Sequence, residues 1–506
     1  MSTTDPASAL ATATIDIMLV SHTNVGKTTL VRTLLGRDIG EVIDAPDVTK
    51  IVTSYDLMVD ASTGALRLWD TPGFGDSFRL AKRLRQKYRW IAWIVREIWD
   101  RYQNPRLWRN QRVVLDLRER AAAILYLVNS RERPVDAVYV APELEVLAWT
   151  GKPVLAILNQ SGNPLPVENE SLQMLEWWDA LASFPVVRKT VALDSYTRCW
   201  VQELILYDEI GHVLQDPNHA IYTKLATSIQ ADHYGRLDAS IEAIAEYLLH
   251  TAGDKVEFKA ASWFESLKDL LGRVTPWGDS NALQPHELAM QSLAQRFMEE
   301  TKTVTDKLIA INRLAGVSSG KIVDMAGESF SIDGPIDESV SAFAGGVISG
   351  ALTGLAADLL AGGLTLGTGA LVGAVLGALG AGAMAKGYNA YKEKGKAMIR
   401  WSPDSLTQAF FRSVMLYLAI AHFGRGQGEW RRKDDPEHWN KAVGDSVSRY
   451  QNRLQQLWIC TASGPKTQQT KHECTSVLKL VLIEVLDRLY PETRGHIVRL
   501  ANQQAA

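Results

Sequence analysis

An apolar strand that runs into a glycine-containing loop and then into a helix is the feature that most constrains this chain. The stretch reads IDIMLV, then SHTNVGKTT, then LVRTLLG. Successive backbone N–H groups of such a loop, and the amino terminus of the helix after it, point toward a bound anion. The pattern therefore predicts a phosphate-binding loop that joins a sheet strand to a covering helix.

Three residues of this loop have predicted roles. Gly26 lets the backbone approach the phosphates, Lys27 reaches the β- and γ-phosphates, and Thr28 places a hydroxyl on Mg²⁺. Ser21 stands where the motif has its first glycine. If that corner requires a positive φ, serine costs roughly 1 kcal/mol relative to glycine, which weakens the loop without abolishing it.

Two motifs downstream argue against a chance match. Asp70 and Gly73 belong to DTPG, which follows the apolar run LRLW. We expect Asp70 to face Mg²⁺ at a strand end and the N–H of Gly73 to face the γ-phosphate. Thr49, in APDVTKIV, is predicted to complete the metal shell as a switch threonine.

Short apolar runs alternate with helical patterns as far as about Gln215, which is typical of a parallel sheet. The candidate strands are Ile15–Val20, Ile51–Val59, Ala65–Asp70, Ala122–Asn129, Val154–Asn159 and Val186–Leu193. Beyond them strand signals fade, and the candidate helices are Tyr222–His250, Glu287–Ala315, Leu406–His422 and Ser476–Tyr490. The predicted fold class is an α/β P-loop domain with a mainly parallel sheet flanked by helices, followed by a mainly α-helical C-terminal region.

The predicted domain organisation has four parts. The first is 13–215, with a basic, Trp-rich helical insert at about 78–120; then come 216–338, a Gly/Ala-rich helical hairpin at 339–386, and 387–506. A net charge of −3 argues against a protein that coats nucleic acid as a whole. Three cysteines cannot form a disulfide framework, and the N-terminus lacks a basic signal-like stretch, so we expect a cytoplasmic protein.

The motifs NVGKTTL, APDVTK and DTPGF resemble the Era/TrmE/EngA-like branch of the small GTPases. This resemblance covers about residues 13–205. More closely, the chain resembles an uncharacterised bacterial group that joins such a G domain to a C-terminal domain of unknown function. The resemblance implies GTP and GDP as ligands and Mg²⁺ as the cofactor.

The candidate site residues form three overlapping sets. The nucleotide-binding set is Ser21, Asn24, Val25, Gly26, Lys27, Thr28, Thr29, Asp70, Gly73, Asn159 and Gln160. The catalytic set is Lys27, Thr49, Gly73 and Asn24, and the Mg²⁺ ligands are Thr28, Thr49 and Asp70.

The base-reading motif departs from the resembled pattern. That class uses Asn-Lys-x-Asp, and here the strand end reads Asn159-Gln160-Ser161-Gly162. Losing the carboxylate removes much of the discrimination against adenine, because specificity depends on paired polar groups. GTP is the preferred nucleotide on family grounds, and ATP or relaxed specificity is the alternative; Asp194 is interpreted as a loop cap rather than a substitute carboxylate.

Hydrolysis is expected to be slow. Phe74 follows DTPG at a position where many GTPases have a water-orienting glutamine, and its ring cannot hydrogen-bond to water. The resemblance implies that Asn24 helps to hold K⁺ near the phosphates; the alternative is a loop residue that caps its own turn. His22, a lone histidine in this loop, is interpreted as incidental.

The insert after the DTPG motif is basic and aromatic. From Arg79 to Arg112 there are eleven Lys/Arg and two acids, interleaved with Trp90, Trp93, Trp99 and Trp108. An interfacial helix on anionic lipid, an RNA-facing patch, and a helical hairpin with packed tryptophans all stay open.

The Gly/Ala-rich segment has glycines four residues apart at Gly346, Gly350 and Gly354, and again at Gly369, Gly373 and Gly377. This spacing lets helices pack closely along one face. Ser339–Ala357 and Leu359–Ala385 contain no charged residue. Each run is long enough to form one arm of a membrane hairpin. A closely packed pair of helices in a soluble domain is the alternative.

The functional prediction is a GTP-binding protein that hydrolyses GTP slowly as a regulatory switch, with output through its helical C-terminal half. The predicted partners are an anionic membrane, so that a cytoplasmic protein associates with the inner membrane, or an unidentified protein. RNA is a less favoured partner, and a nucleotide-dependent dimer is also considered. An RNA- or ribosome-associated assembly GTPase, and a dynamin-like membrane-remodelling or nucleotide-gated scaffold protein, are the alternatives.

Overall fold

The computed structural model describes eleven stretches of the chain. They are 13–36, 52–74, 77–85, 105–159, 167–193, 199–258, 285–314, 388–393, 396–422, 437–464 and 467–502. The chain divides into two compact units, the first Met1–Gly235 with Ala421–Glu429 and the second Arg236–Ile420 with Trp430–Ala506.

The first unit is built on a six-stranded sheet. The strands are β1 (Thr14–Ser21), β2 (Thr53–Asp60), β3 (Gly64–Asp70), β4 (Ala123–Asn129), β5 (Val154–Asn159) and β6 (Val187–Ala192). Their order is β2-β3-β1-β4-β5-β6, and β2 alone among these six pairs antiparallel, with β3. The prediction of a mainly parallel α/β sheet is confirmed, since the apolar runs that sequence periodicity identifies are the buried strands.

The register of the parallel strands brings polar residues to one edge. Leu19 of β1 lies beside Asp70 at the end of β3, and Asn129 of β4 lies beside Asn159 of β5. Strand β1 has β3 on one side and β4 on the other. Ligands of open α/β sheets bind in the crevice outside the carboxyl ends of strands where the connections diverge in this way.

Helices cover this sheet. They are α1 (Lys27–Leu35), α2 (Ser77–Arg85), α3 (Pro105–Arg120), α4 (Val140–Thr150), α5 (Val167–Ala182) and α6 (Trp200–Val213), and α7 (Asn218–Gly253) follows. Leu80 of α2, Leu117 of α3, Leu144 of α4 and Trp177 of α5 belong to one buried core with the strand side chains. Burial of these apolar side chains supplies the main stabilisation of the layer.

The described flanks of the predicted insert are helical. Helix α2 begins at Ser77 and α3 ends at Arg120, and both bury apolar side chains in the core. Three of the tryptophans on which the lipid and RNA interpretations depend (Trp90, Trp93 and Trp99) lie outside the described residues. Both interpretations therefore stay predictions.

The second unit is mainly helical, which confirms the predicted class. After α7 its elements are β7 (Lys255–Phe258), α8 (Pro285–Ile311), β8 (Tyr388–Glu393), β9 (Lys396–Trp401), α9 (Pro403–Ala421), α10 (Glu437–Arg449), α11 (Gln451–Ser463), α12 (Gln468–Leu489), a 3₁₀ turn (Pro491–Thr493) and α13 (Arg494–Asn502). The antiparallel sheet β7-β9-β8 was not predicted from the sequence. Its strand β7 pairs with a segment more than a hundred residues away, which no local pattern indicates.

Several predictions fall on residues that the structure does not describe. The Gly/Ala-rich segment from 339 to 386 is one, and Thr49, Gln160 and Asp194 are others. Within the described stretches, no helix combines the length and the apolar character needed to cross a bilayer.

Candidate functional site

The loop after β1 takes its shape from two left-handed residues. Asn24 has φ 62° and Gly26 has φ 91°, and Gly26 is the N-cap of α1. Asparagine is one of the few non-glycine residues that adopts this conformation readily. Among described residues other than glycine, positive φ occurs at Asn24 and Arg313, so Ser21 has ordinary backbone. Serine at this corner therefore carries no positive-φ cost.

Ser21 instead contributes its hydroxyl to the loop lysine. Lys27 Nζ donates to Ser21 Oγ at 2.7 Å and to the carbonyl oxygen of His22 at 3.2 Å. The ammonium is buried, and burial lowers the pKa of Lys27, while the Asp70 and Glu143 carboxylates act in the opposite direction. A buried cation at the mouth of an anion-binding loop is the arrangement that phosphate recognition requires.

Asp70 is the last residue of β3, and its two carboxylate oxygens differ in whether they have a hydrogen-bond partner. Thr28 Oγ1 donates to Asp70 Oδ2 at 2.6 Å, whereas the buried Oδ1 has no hydrogen-bond partner among the described residues. Burial raises the pKa of Asp70, and the Thr28 hydrogen bond and the Lys27 charge oppose that shift. A carboxylate and a hydroxyl are hard oxygen donors, so this pair fits a hard divalent cation such as Mg²⁺.

Gly73 lies directly against the loop. A Cβ at Gly73 would stand 3.0 Å from Thr23 Cα and 3.1 Å from Lys27 Nζ, so a side chain would push on the loop backbone. The next N–H, of Phe74, donates to the Ser21 carbonyl at 3.0 Å. The Phe74 ring is fully buried in the core of the sheet.

Asn159, at the end of β5, contacts the loop from the other side. Its Nδ2 donates to the Val25 carbonyl at 2.7 Å, and its own carbonyl accepts from Ser130 N at 2.8 Å. Asn159, Val25 and Thr29 are all buried. Asn159 therefore stabilises the loop.

His22 has partners that the sequence analysis missed. Its Nδ1 lies 2.8 Å from Oε1 of Glu143 in α4, and the Tyr126 hydroxyl donates to Glu143 Oε2 at 2.7 Å. The imidazole also stacks on Tyr139, with ring centroids 4.2 Å apart. Burial raises the pKa of Glu143, and its hydrogen bond to His22 opposes the shift. His22 is therefore held in place by Glu143 and Tyr139, and its interpretation as incidental to catalysis stays a prediction.

Comparison with known families assigns both ends of the chain. Residues 16–160 match the family described as 50S ribosome-binding GTPase. The matched range includes the phosphate-binding loop, Asp70, Gly73 and Asn159. Residues 16–160 form a P-loop GTPase domain. Residues 338–481 match a domain of unknown function, DUF3482. The resemblance expected from the sequence motifs is confirmed.

Individual relatives match this GTPase domain over part of their length. The chain is 28% identical over 87 residues to the probable GTP-binding protein EngB of Helicobacter pylori, covering 16% of this chain and 41% of that protein. Aquifex aeolicus Era bound to GDP and AlF₄⁻ matches at 18% identity with a TM-score of 0.28, over 40% of this chain and 57% of that chain. A complex of Era with MgGDPNP and nucleotides of 16S ribosomal RNA matches at 18% identity with a TM-score of 0.28, over 40% and 58%.

The GTPase domain brings most of the candidate residues to one edge of its sheet. The loop residues from Ser21 to Thr29, together with Asp70, Gly73 and Asn159, lie there. Glu143, Tyr126 and Tyr139 join them and carry no motif that would have identified them. Glu143 is separated from His22 by 121 positions, so only the packing of α4 brings the two together.

Proposed function

We propose that this chain binds GTP with Mg²⁺ and hydrolyses it slowly, as a regulatory switch. The observation that carries the proposal is the buried Asp70 Oδ1, which has no hydrogen-bond partner among described residues and stands beside the Thr28 hydroxyl. A buried carboxylate oxygen without a partner is costly, and a bound cation would remove that cost.

The proposed roles follow from position. Lys27 exchanges its contacts with Ser21 and His22 for the β- and γ-phosphates, while the N–H groups after Gly26 face the phosphate chain. Thr28 and Asp70 hold Mg²⁺, with Thr49 as the third protein ligand. Gly73 presents its N–H to the γ-phosphate.

The slow rate is proposed from Phe74. Its ring is buried in the core, so this residue offers no polar group to an attacking water. Asn24 is proposed to help hold K⁺, which would supply positive charge beside the phosphates. Turnover in KCl should then exceed turnover in matched NaCl, and equal rates would rule out the K⁺ role.

Guanine specificity is proposed from the family and tested by calorimetry. Titrations of the full chain with GTP, GDP and ATP in Mg²⁺ should show binding of both guanine nucleotides at least about tenfold tighter than ATP, a difference of 1.4 kcal/mol. Equal affinity for ATP would contradict the guanine assignment. Absence of binding by any nucleotide would contradict the whole proposal.

The output is proposed to pass through the helical C-terminal half to an anionic membrane or a protein partner. The basic composition of Arg79–Arg112, which precedes that half in the sequence, supports attraction of the whole protein to an anionic surface. Co-sedimentation of the full chain with anionic and neutral vesicles, in GTP and in GDP, tests the membrane form. Failure to pellet in either nucleotide state contradicts it.

A ribosome-associated role is the second candidate, because the matched family is described as ribosome-binding. Sucrose-gradient sedimentation with purified ribosomal subunits in GTP and in GDP tests this role. Nucleotide-dependent migration with a subunit, without vesicle binding, would favour it over the membrane output.

A further inference from the structure

The back of the phosphate-binding loop is tied to the domain by a buried carboxylate. Glu143 is 0% exposed, His22 is 31% exposed, and 2.8 Å separates their Oε1 and Nδ1 atoms. The second carboxylate oxygen accepts from the Tyr126 hydroxyl at 2.7 Å. Glu143 therefore connects the loop to strand β4 and helix α4 at once.

A buried carboxylate at this position requires a reason beyond packing. Taking a carboxylate out of water is expensive unless charged or hydrogen-bonding partners satisfy it, and an apolar residue would fill the same space without that cost. Each oxygen of Glu143 has one side-chain partner, from a different element. Such hydrogen bonds hold His22 in one orientation, which apolar packing would not do.

The loop needs that restraint when Lys27 moves. In this structure the Lys27 ammonium holds the first turn of the loop through the Ser21 hydroxyl and the His22 carbonyl. Once the ammonium turns to a phosphate, those contacts weaken, and Gly26, which has no Cβ, adds conformational freedom at the end of the loop. The hydrogen bond between His22 Nδ1 and Glu143 Oε1 uses none of the atoms that Lys27 contacts, so it can remain in place through that exchange.

We propose that His22 and Glu143 are positioning residues, which hold the turn from Ser21 to Asn24 so that its N–H groups stay directed at the phosphates when Lys27 binds them. This inference rests on the proposed nucleotide binding. Because the same N–H groups contact the phosphates of the ground state and of the transition state, the pair contributes uniform binding. Its loss should raise Kd and KM and leave kcat nearly unchanged.

The test uses His22→Ala and Glu143→Gln in the full chain, with His22→Asn as the conservative variant. Binding of GDP and GTP is measured by calorimetry, turnover by phosphate release, and folding by circular dichroism. We expect His22→Ala to raise both Kd values by about tenfold or more, from the loss of a hydrogen bond to a charged group. His22→Asn, whose amide can still donate toward Glu143, should recover part of that loss, and kcat should stay within about twofold.

A matched control exists in the same unit. His233 Nε2 lies 3.4 Å from Glu203 Oε2, and both side chains are buried. His233→Ala removes a His–Glu contact between helices α6 and α7, neither of which belongs to the loop, so it should lower thermal stability without raising either Kd by more than about twofold.

Three results would overturn the inference. They are unchanged Kd values in folded His22→Ala and Glu143→Gln proteins, an equal rise in Kd in the His233→Ala control, or a fall in kcat with KM unaltered. If His22→Ala does not fold, the near-isosteric Glu143→Gln and His22→Asn decide, with a smaller rise expected. Failure of the wild-type chain to bind nucleotide would instead overturn the proposed function, and this inference with it.

Discussion

The polar side chains at the two edges of the six-stranded sheet differ in how deeply they are buried. At the carboxyl edge, Ser21, Lys27, Asp70, Glu143 and Asn159 are all buried. Each is held by side-chain or backbone hydrogen bonds, and one carboxylate oxygen of Asp70 lacks a partner among described residues.

The amino edge of the same sheet has a cavity of a different character. A cavity of about 980 Å³ is lined there by charged residues that include Arg120, Lys152, Arg188, Lys189 and Glu209. The ion pair between Lys189 and Glu209 spans 3.5 Å, with Lys189 56% exposed. Solvated charges of this kind cost little free energy and need no ligand. A buried polar atom without a hydrogen-bond partner costs more, and a bound ligand can supply the missing partner. Burial and incomplete pairing, not volume, therefore distinguish the candidate site.

The largest effect expected at the carboxyl edge is that of Lys27→Ala. It removes the buried cation that faces the phosphates, so GTP affinity should fall by about a hundredfold or more, since charge-assisted contacts to phosphate are strong. Calorimetry with GTP measures the loss. Lys152→Ala, at the amino edge, is the matched control and should leave Kd within about twofold; an equal loss in both would erase the contrast between the two edges.

Asp70→Asn should weaken Mg²⁺-dependent GTP binding by about tenfold or more while stabilising the nucleotide-free protein. Burial raises the pKa of Asp70 above the ordinary 3.8, so the folded chain holds this proton more tightly than the unfolded chain. The destabilisation by the ionised carboxylate is absent below that ordinary pKa and grows as pH rises through it toward the raised value.

Thermal melting of wild type and Asp70→Asn in EDTA, from acidic to neutral pH, tests whether the ionised carboxylate destabilises the nucleotide-free protein. The stability advantage of the variant should increase with pH. An advantage that shrinks as pH rises would show that Asp70 is stabilised as an anion in the nucleotide-free protein, contrary to the burial argument.

Gly73→Ala should lower kcat/KM by about fivefold to tenfold, because the added methyl must displace Thr23 or Lys27. Steady-state phosphate release measures the change. The control is Gly235→Ala in helix α7, where an added Cβ meets nothing within 4 Å. That substitution should keep activity and raise stability by up to about 1 kcal/mol, from helix propensity.

The smallest effect is expected for Ser21→Gly, within about threefold in GTP affinity. Ser21 has ordinary backbone, so glycine relieves no strain, and the Ser21 carbonyl still accepts the Phe74 N–H. The substitution removes the hydroxyl that accepts from Lys27 and donates to the His22 carbonyl, whereas Lys27 keeps its own contact to that carbonyl. A gain of tenfold or more would mean that the serine hydroxyl restrains the lysine in the nucleotide-free state.

Much of the first unit could be predicted because its determinants are local. The run Val154–Leu158 is apolar throughout since β5 is buried along its whole length, and an apolar run identifies such a strand directly. Long helices such as α7 and α12 are likewise encoded within their own sequence. The pairing of Lys255–Phe258 with β9 is not, because it joins segments whose separation leaves no pattern.

The candidate site divides in the same way. The sequence by itself determined the strand-loop-helix around Gly26 and Lys27 and the Asp70-to-Gly73 motif, because each role belongs to a residue type at a fixed local spacing. Only the tertiary structure decided that Ser21 avoids positive φ, that one oxygen of Asp70 has no hydrogen-bond partner among the described residues, and that Glu143 holds His22. These depend on how strands and helices pack, and a hydrogen bond between residues 121 positions apart exists only once that packing has formed.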